Sequence, residues 1–268
     1  MTSTSHLPNT CKLCLKDVSE VGPLQQSHII PRFILKKSKD KNGRALTFSV
    51  PNKKFAMSQE DWKERMLCKS CEHLMNVGYE NVINETLFLR RKKPAIYDGP
   101  DRLLLSADSN HLALALLSIF WRATISNYPA FTRVLVPPYV TDELRLWIYT
   151  KRIPSTWHQL ITIKVQELKD KNHNKTQLLV TPFDRSSSEK KQFDFVFICG
   201  GFCMTFSLPP LPNQLFSKTK TLRPQSRIVR IEKIWYETVP ELKIMVDIML
   251  AEKRPGGICS NRNTPSNE

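Results

Sequence analysis

The chain has 268 residues, and its 40 Lys and Arg outnumber 25 Asp and Glu to give a formal net charge of +15. That length can bury a sizeable core in one large domain or two smaller ones, and the basic excess favours a polyanionic partner, DNA, RNA or an acidic protein surface. The longest apolar stretch, LALALLSIFW at 112–121, is about half of the roughly 20 residues that a membrane span takes, so a core helix is expected and a membrane partner is not.

In chain order, residues 1–10 read as a frayed tail without a basic or apolar leader, so a cytoplasmic location with reduced thiols is expected. Residues 11–33 hold a Cys-x-x-Cys knuckle, a polar loop and an extended segment, in which Pro31 keeps Ile30 extended. The basic loop KKSKDKNGR (36–44) ends in the turn signal Asn42-Gly43, and ALTFSV (45–50) reads as a strand, which predicts a hairpin over 27–50. Residues 51–65 read as irregular, with a helical turn near 60–65. From Lys69 the period is helical. Leu74, Val77, Val82 and Leu87 share a partly apolar face, and Asn76, Glu80 and Asn84 share another that reads as solvated. RRKK at 90–93 and Pro94 end this helix.

A boundary is expected at 94–106, where PAIYDGPDR carries two prolines and a glycine. A long helix over 108–127 follows, capped by Asp108 or Asn110, and an amphipathic helix covers 141–151. Strands dominate 158–208, with Gly200-Gly201 as the turn of a hairpin. Thr238 and Glu241 stand at capping-box spacing before a last helix at about 239–252. Residues 254–268 read as a second tail. The expected domains are 11–93 and 94–253.

Of the seven cysteines, four form two Cys-x-x-Cys pairs, Cys11/Cys14 and Cys68/Cys71. Such pairs supply four thiolates to one tetrahedral zinc, which prefers sulfur where magnesium and calcium prefer oxygen. Cys199 and Cys203 fall in an apolar hairpin and read as buried small hydrophobes.

The segment SHIIPRF (27–33) lies between the pairs. A shared zinc would put the residue after Cys71, Glu72, at a helix N-terminus. If the extended segment packs there, His28 and Glu72 approach one point. A carboxylate can then hold a hard divalent ion while a neutral imidazole takes a proton from water, which is the chemistry of metal-assisted phosphodiester hydrolysis. The plainer alternative is a packed structural histidine beside a helix N-terminal carboxylate.

Cys11, Cys14, SHIIPRF and LCKSCEHLMNVGYE (67–80) together resemble the HNH endonucleases of the ββα-metal, treble-clef type. More narrowly, they resemble bacterial members with an SHIIPRF…LCxxCE pattern followed by a helix like SIFWRATIS (118–126). The motif covers about a third of the chain. The resemblance implies an α+β fold: a zinc-stapled ββα unit, then a domain of helices and a small antiparallel sheet. It implies structural Zn2+ on Cys11, Cys14, Cys68 and Cys71, and catalytic Mg2+ or Mn2+ at Glu72. His28 matches the general base. Ser27 stands where relatives often carry a metal-ligating Asp, a departure for which Asn76 or His73 could compensate.

Lys36, Lys37, Lys39, Lys41, Arg44 and the run Arg90, Arg91, Lys92 and Lys93 are the expected phosphate contacts, on DNA before RNA. No Gly-rich, Lys-Ser/Thr signature for ATP occurs, so energy-gated cleavage would need an ATPase partner. Relatives of this kind work in phage-defence or mobile-element settings. Two rival readings stay open: a non-catalytic zinc module that binds nucleic acid, and a protein-interaction subunit.

Overall fold

The computed structural model describes residues 9–50, 53–59, 61–89, 96–97, 102–170, 178–187, 192–211 and 221–252. The fold is α+β. A short helix α1 (Val18–Val21) leads to β1 (Gln25–His28), which pairs antiparallel with β4 (Lys63–Leu67) in a two-stranded ribbon of its own. Between them lie α2 (Arg32–Lys37), β2 (Ala45–Ser49) and β3 (Lys54–Ser58). A long helical segment, α3, follows β4. It runs as α-helix over Lys69–His73, π-helix over Leu74–Glu80, α-helix over Asn81–Ile83 and π-helix over Asn84–Leu89.

The remaining strands are β5 (Ile96–Tyr97), β6 (Arg102–Ser106), β7 (Thr162–Lys169), β8 (Leu179–Ser187), β9 (Gln192–Cys199), β10 (Phe202–Leu208) and β11 (Ile228–Trp235). Among the described residues they join β2 and β3 in a nine-stranded sheet, in the order β3-β2-β8-β9-β10-β7-β11-β6-β5. The contacts β2–β8 and β7–β11 are parallel and the others antiparallel. The helices α4 (Ser109–Thr124), α5 (Pro138–Thr150) and α6 (Pro240–Glu252) complete the fold. No helix among the described residues is long and apolar enough to cross a membrane.

Strand alternation splits the sheet's side chains between two faces. Phe195, Phe197 and Phe206 meet Phe120 of α4, with the Phe206 and Phe120 rings stacked at 4.6 Å. Val196, Ile198 and Cys203 point the other way and pack with Leu242 and Met245 of α6. Helix α4 is buried on nearly every side, as its unbroken apolar run requires. Asp108 caps it, its Oδ1 accepting from the amides of Asn110 and His111 at 3.0 and 3.2 Å. The β9–β10 turn places Gly200 and Gly201 at φ 60° and 82°. A Cβ on Gly200 would also come within 3.0 Å of Ile34 and 3.1 Å of Phe88, so glycine serves both backbone and packing there.

Three expectations are corrected. The hairpin over 27–50 does not form: Pro31 opens α2, which buries Ile34 and Leu35, and β2 pairs with β3 instead. Residues 51–65 are not irregular, because β3 and β4 cross them. Thr238 does not cap α6: its hydroxyl donates to the Trp235 carbonyl at 2.7 Å, and Glu241 is drawn 2.6 Å from Arg185. The helix opens on Pro240, a residue suited to a first position where the amide has no partner.

Candidate functional site

The sulfur atoms of Cys11, Cys14, Cys68 and Cys71 all lie within 4.8 Å of one another. Local geometry explains each half of the cluster. In the first knuckle the Leu15 amide donates to the Cys11 carbonyl at 2.9 Å, and Leu15 takes φ 61° to close the turn. The Lys12 amide donates to the Met66 carbonyl at 2.9 Å and ties the knuckle to β4. In the second half, Cys68 is the N-cap of α3 and Cys71 sits in its first turn. The Cys68 amide donates to the Cys11 sulfur at 3.3 Å. Cys11 is pulled well below the ordinary thiol range by a hydrogen bond from Cys71, and Cys71 is pushed far above it for the same reason. Crowded sulfurs that compete for protons are what a thiophilic divalent cation stabilises, and four of them match the tetrahedral donor set of zinc.

Cys199 and Cys203 stand apart from this cluster. Both are buried, and burial pushes their thiols up to about 12 and about 11.

The ribbon brings its strand end to the start of α3. Ser27, opposite Glu64 in the register, is wholly buried, and His28, opposite Lys63, ends β1. Glu72 follows Cys71 in the first turn of α3. Burial raises its carboxyl above the ordinary value; Ser27 and Arg122 oppose that rise, and Glu80 adds to it. Burial lowers His28 below the ordinary histidine value of 6.5; Asp61 and Glu80 oppose, while Lys63 and Arg32 reinforce. The imidazole is therefore neutral at neutral pH.

Arg122 underlies the site. This wholly buried residue of α4 donates from Nη1 to the His28 carbonyl at 2.5 Å and to Glu80 Oε1 at 2.9 Å, and from Nε to the Ser118 carbonyl at 3.2 Å. The π-helical stretch Leu74–Glu80 contributes to this arrangement. Its wider turns bring two residues eight positions apart closer to two whole turns, so Glu80 stays within electrostatic reach of Glu72. Tyr79 anchors the same stretch to α5 by donating to the Ile148 carbonyl.

Three atoms of this cluster are buried without a hydrogen-bond partner, His28 Nε2, Glu72 Oε2 and Arg122 Nη2, and Ser27 Oγ has none beyond the Glu72 carboxyl that it acts on. Buried polar atoms seldom stay unpaired in a folded protein unless the place has a function or a further ligand. An acceptor carboxylate oxygen with no protein partner suits a hard cation.

Other expected residues fall elsewhere. Asn76 is exposed on α3. Glu80 is not on a solvated face, as its side chain is only 13% exposed and pairs with Arg122. Lys36, Lys37 and Lys41 are exposed, and Lys37 lies 5.3 Å above the Phe88 ring. Lys39 is engaged by Asp61 at 2.6 Å, and Arg44 lies 3.5 Å from Asp40. Arg90, Arg91, Lys92 and Lys93 lie outside the described residues. The cations that act on His28 are Arg32 and Lys63, which the sequence did not single out. Arg122 did carry a signal, a lone charge inside an otherwise apolar helix.

The chain matches no protein-family model, no curated protein and no solved structure.

Proposed function

We propose that this chain is an HNH-type endonuclease that hydrolyses phosphodiester bonds in DNA with a divalent metal and His28 as general base. The observation that carries the reading is the set of unpartnered buried atoms on His28, Glu72 and Arg122, with Ser27 against the Glu72 carboxyl, next to a four-cysteine cluster that fastens the helix start. In this reading the β1–β4 ribbon, α3 and the cysteines are the ββα-metal unit, with β2 and β3 as an insertion. Residues 11–93 are the nuclease domain and 94–253 the accessory domain.

Zn2+ on Cys11, Cys14, Cys68 and Cys71 is structural. Glu72 would hold Mg2+ or Mn2+, with Ser27, which bears on its carboxyl, and Asn76, four residues further along the helix, as the candidate additional oxygen donors. That ion supplies charge that polarises the scissile phosphate and stabilises the leaving oxygen. His28, neutral at neutral pH, accepts the proton of the attacking water, and its Nε2 is not engaged by any protein group. Arg122 fixes the His28 backbone from beneath. Arg32, Lys63, Lys36 and Lys37 hold the DNA backbone by charge. An ATPase partner and a phage-defence or mobile-element setting belong to the same proposal.

One observation favours a second reading, a non-catalytic zinc-containing subunit that binds nucleic acid or protein. Ser27 offers a hydroxyl where an active site of this kind would use a carboxylate, the stronger ligand for a hard cation. A plasmid-nicking assay with Mg2+ or Mn2+, on wild type and His28→Ala with equal zinc content, separates the two. Nicking by the wild type alone supports the nuclease, and equal nicking or none supports the subunit.

A further inference from the structure

A cleft of about 650 Å³ opens between the β2–β3 hairpin, the start of β8 and the segment 128–133, with Trp62, the chain neighbour of His28's ladder partner Lys63, in its wall. Its lining has three features. Its polar groups are mostly hydroxyls, from Thr47, Ser49, Ser58, Thr132 and Thr181, set in a lining that is otherwise largely apolar. Half-buried Tyr128 supplies the accessible aromatic surface, and Trp62, nearly wholly buried, lies in the wall behind it. Arg133 is its one charged group among the described residues; the side chain is largely exposed and lies 3.6 Å from Asp184, which is not part of the lining. Thr47 Oγ1 is buried without a hydrogen-bond partner.

Trp62 joins the cleft to the site. Its carbonyl accepts from the Ile29 amide at 3.0 Å, and its chain neighbours Asp61 and Lys63 both act electrostatically on His28. The Trp62 ring is held edge-on by Phe131 at 5.4 Å. Glu64 accepts from the Ser126 hydroxyl and the Asn127 amide at 2.8 and 2.9 Å, which fixes the chain just before Tyr128. These contacts tie the cleft wall to the strand opposite His28.

From this geometry we infer that the cleft receives an unpaired nucleobase with its sugar, from the strand whose phosphate lies at His28. The inference rests on the nuclease reading for the identity of that strand. A flat ring stacks on the Tyr128 surface, its edge donors meet the Thr132 and Thr181 hydroxyls, which donate to the Pro129 and Phe48 carbonyls and keep oxygen lone pairs free to accept, and a flanking phosphate competes with Asp184 for the exposed Arg133. The volume is that of a small-molecule site, so one nucleotide fits and a duplex does not enter. The favoured substrate is thus single-stranded or locally unpaired DNA, whose base is already out of the stack.

The test uses full-length protein and DNA carrying 2-aminopurine, either in a fully paired duplex or at one unpaired position in the same sequence. Binding is read by fluorescence with the His28→Ala chain, and cleavage with the chain that retains His28. The expected result is tighter binding and faster cutting of the unpaired substrate by roughly tenfold or more, with Tyr128→Ala removing most of that preference. Thr47→Val, which keeps shape and removes one hydroxyl, should reduce the preference in the same direction and serves if Tyr128→Ala fails to fold. Equal handling of both DNAs, or a preference that survives the substitution, overturns the cleft inference; cutting that still requires His28 then leaves the nuclease reading standing. A Tyr128-dependent binding preference without any cutting sinks the nuclease reading and keeps the cleft as a base site. Neither binding nor cutting sinks both.

Discussion

Arg122 donates to the backbone carbonyl of His28 at 2.5 Å, across 94 positions of sequence. The same Nη1 reaches Glu80 at 2.9 Å, so one wholly buried guanidinium joins β1, α3 and α4 beneath the candidate base. A charge so placed is tolerated because it is paired and hydrogen-bonded. Arg122→Met should leave Glu80 buried without its partner and cost about 3–5 kcal/mol. Adding Glu80→Gln should recover part of that loss. Urea unfolding of the two single variants and the double variant measures the coupling, and strict additivity would mean that the pair does not act as a unit.

Zinc should be present at one ion per chain, because the four cysteines make one cluster. Cys68→Ser should lose the ion and unfold the β1–β4 ribbon with the start of α3, since metal binding is folding free energy in such sites. A strong chelator should do the same to the wild type. Elemental analysis that finds no zinc in folded, monodisperse protein would refute this.

His28→Ala should keep zinc and fold yet slow DNA cleavage by roughly 10²–10⁴-fold, the range for loss of a general base. Glu72→Ala should also slow cleavage, but raised Mg2+ or Mn2+ should partly restore it, which it cannot do for His28→Ala. Ser27→Asp should tighten the affinity for the divalent ion. Unchanged turnover in zinc-loaded His28→Ala would remove the catalytic assignment.

The pH response follows from the direction of the His28 shift. Its folded pKa lies below 6.5 because burial disfavours the charged imidazolium. The folded state then holds fewer protons than the unfolded state as the pH falls. The contribution of His28 to stability is full above 6.5 and is lost as the pH falls through the folded value. Glu72 has the opposite sign: its folded pKa lies above 4.5, so its contribution is full below 4.5 and is lost as the pH rises through the folded value. Cleavage should follow the neutral imidazole, with a plateau above 6.5 and an acid limb below it. Melting curves from about pH 5 to about pH 8 should show a smaller acid loss in His28→Gln than in wild type. Parallel curves would show that His28 does not titrate in this window.

DNA affinity should fall steeply with salt, because each lysine or arginine that meets a phosphate releases counterions. Lys36→Glu with Lys37→Glu, both on the exposed side of α2, should weaken binding to all sequences about equally. Anisotropy titrations at low and moderate salt are the measurement, and flat affinity would remove DNA as a partner bound by charge.

What the sequence determined by itself was local. Two Cys-x-x-Cys pairs announce one thiolate cluster, since each knuckle sets its own sulfur spacing. Asp108 caps α4, Gly200-Gly201 turns the β9–β10 hairpin and the unbroken apolar run of α4 is buried, all through forces acting within a few residues. Only the tertiary structure decided which distant segments meet. The partner of β1 is β4, not the 45–50 strand, because Pro31 starts a helix and sends β2 into the large sheet. Glu80 and Asn76 looked alike on one helix face, but π-helical turns and a buried Arg122 took Glu80 inward and left Asn76 in solvent. Lys39 read as a free cation until Asp61, brought close by β4, engaged it. Charges, orphaned polar atoms and the cleft depend on distances between elements, and hydrophobic periodicity along the chain does not encode those distances.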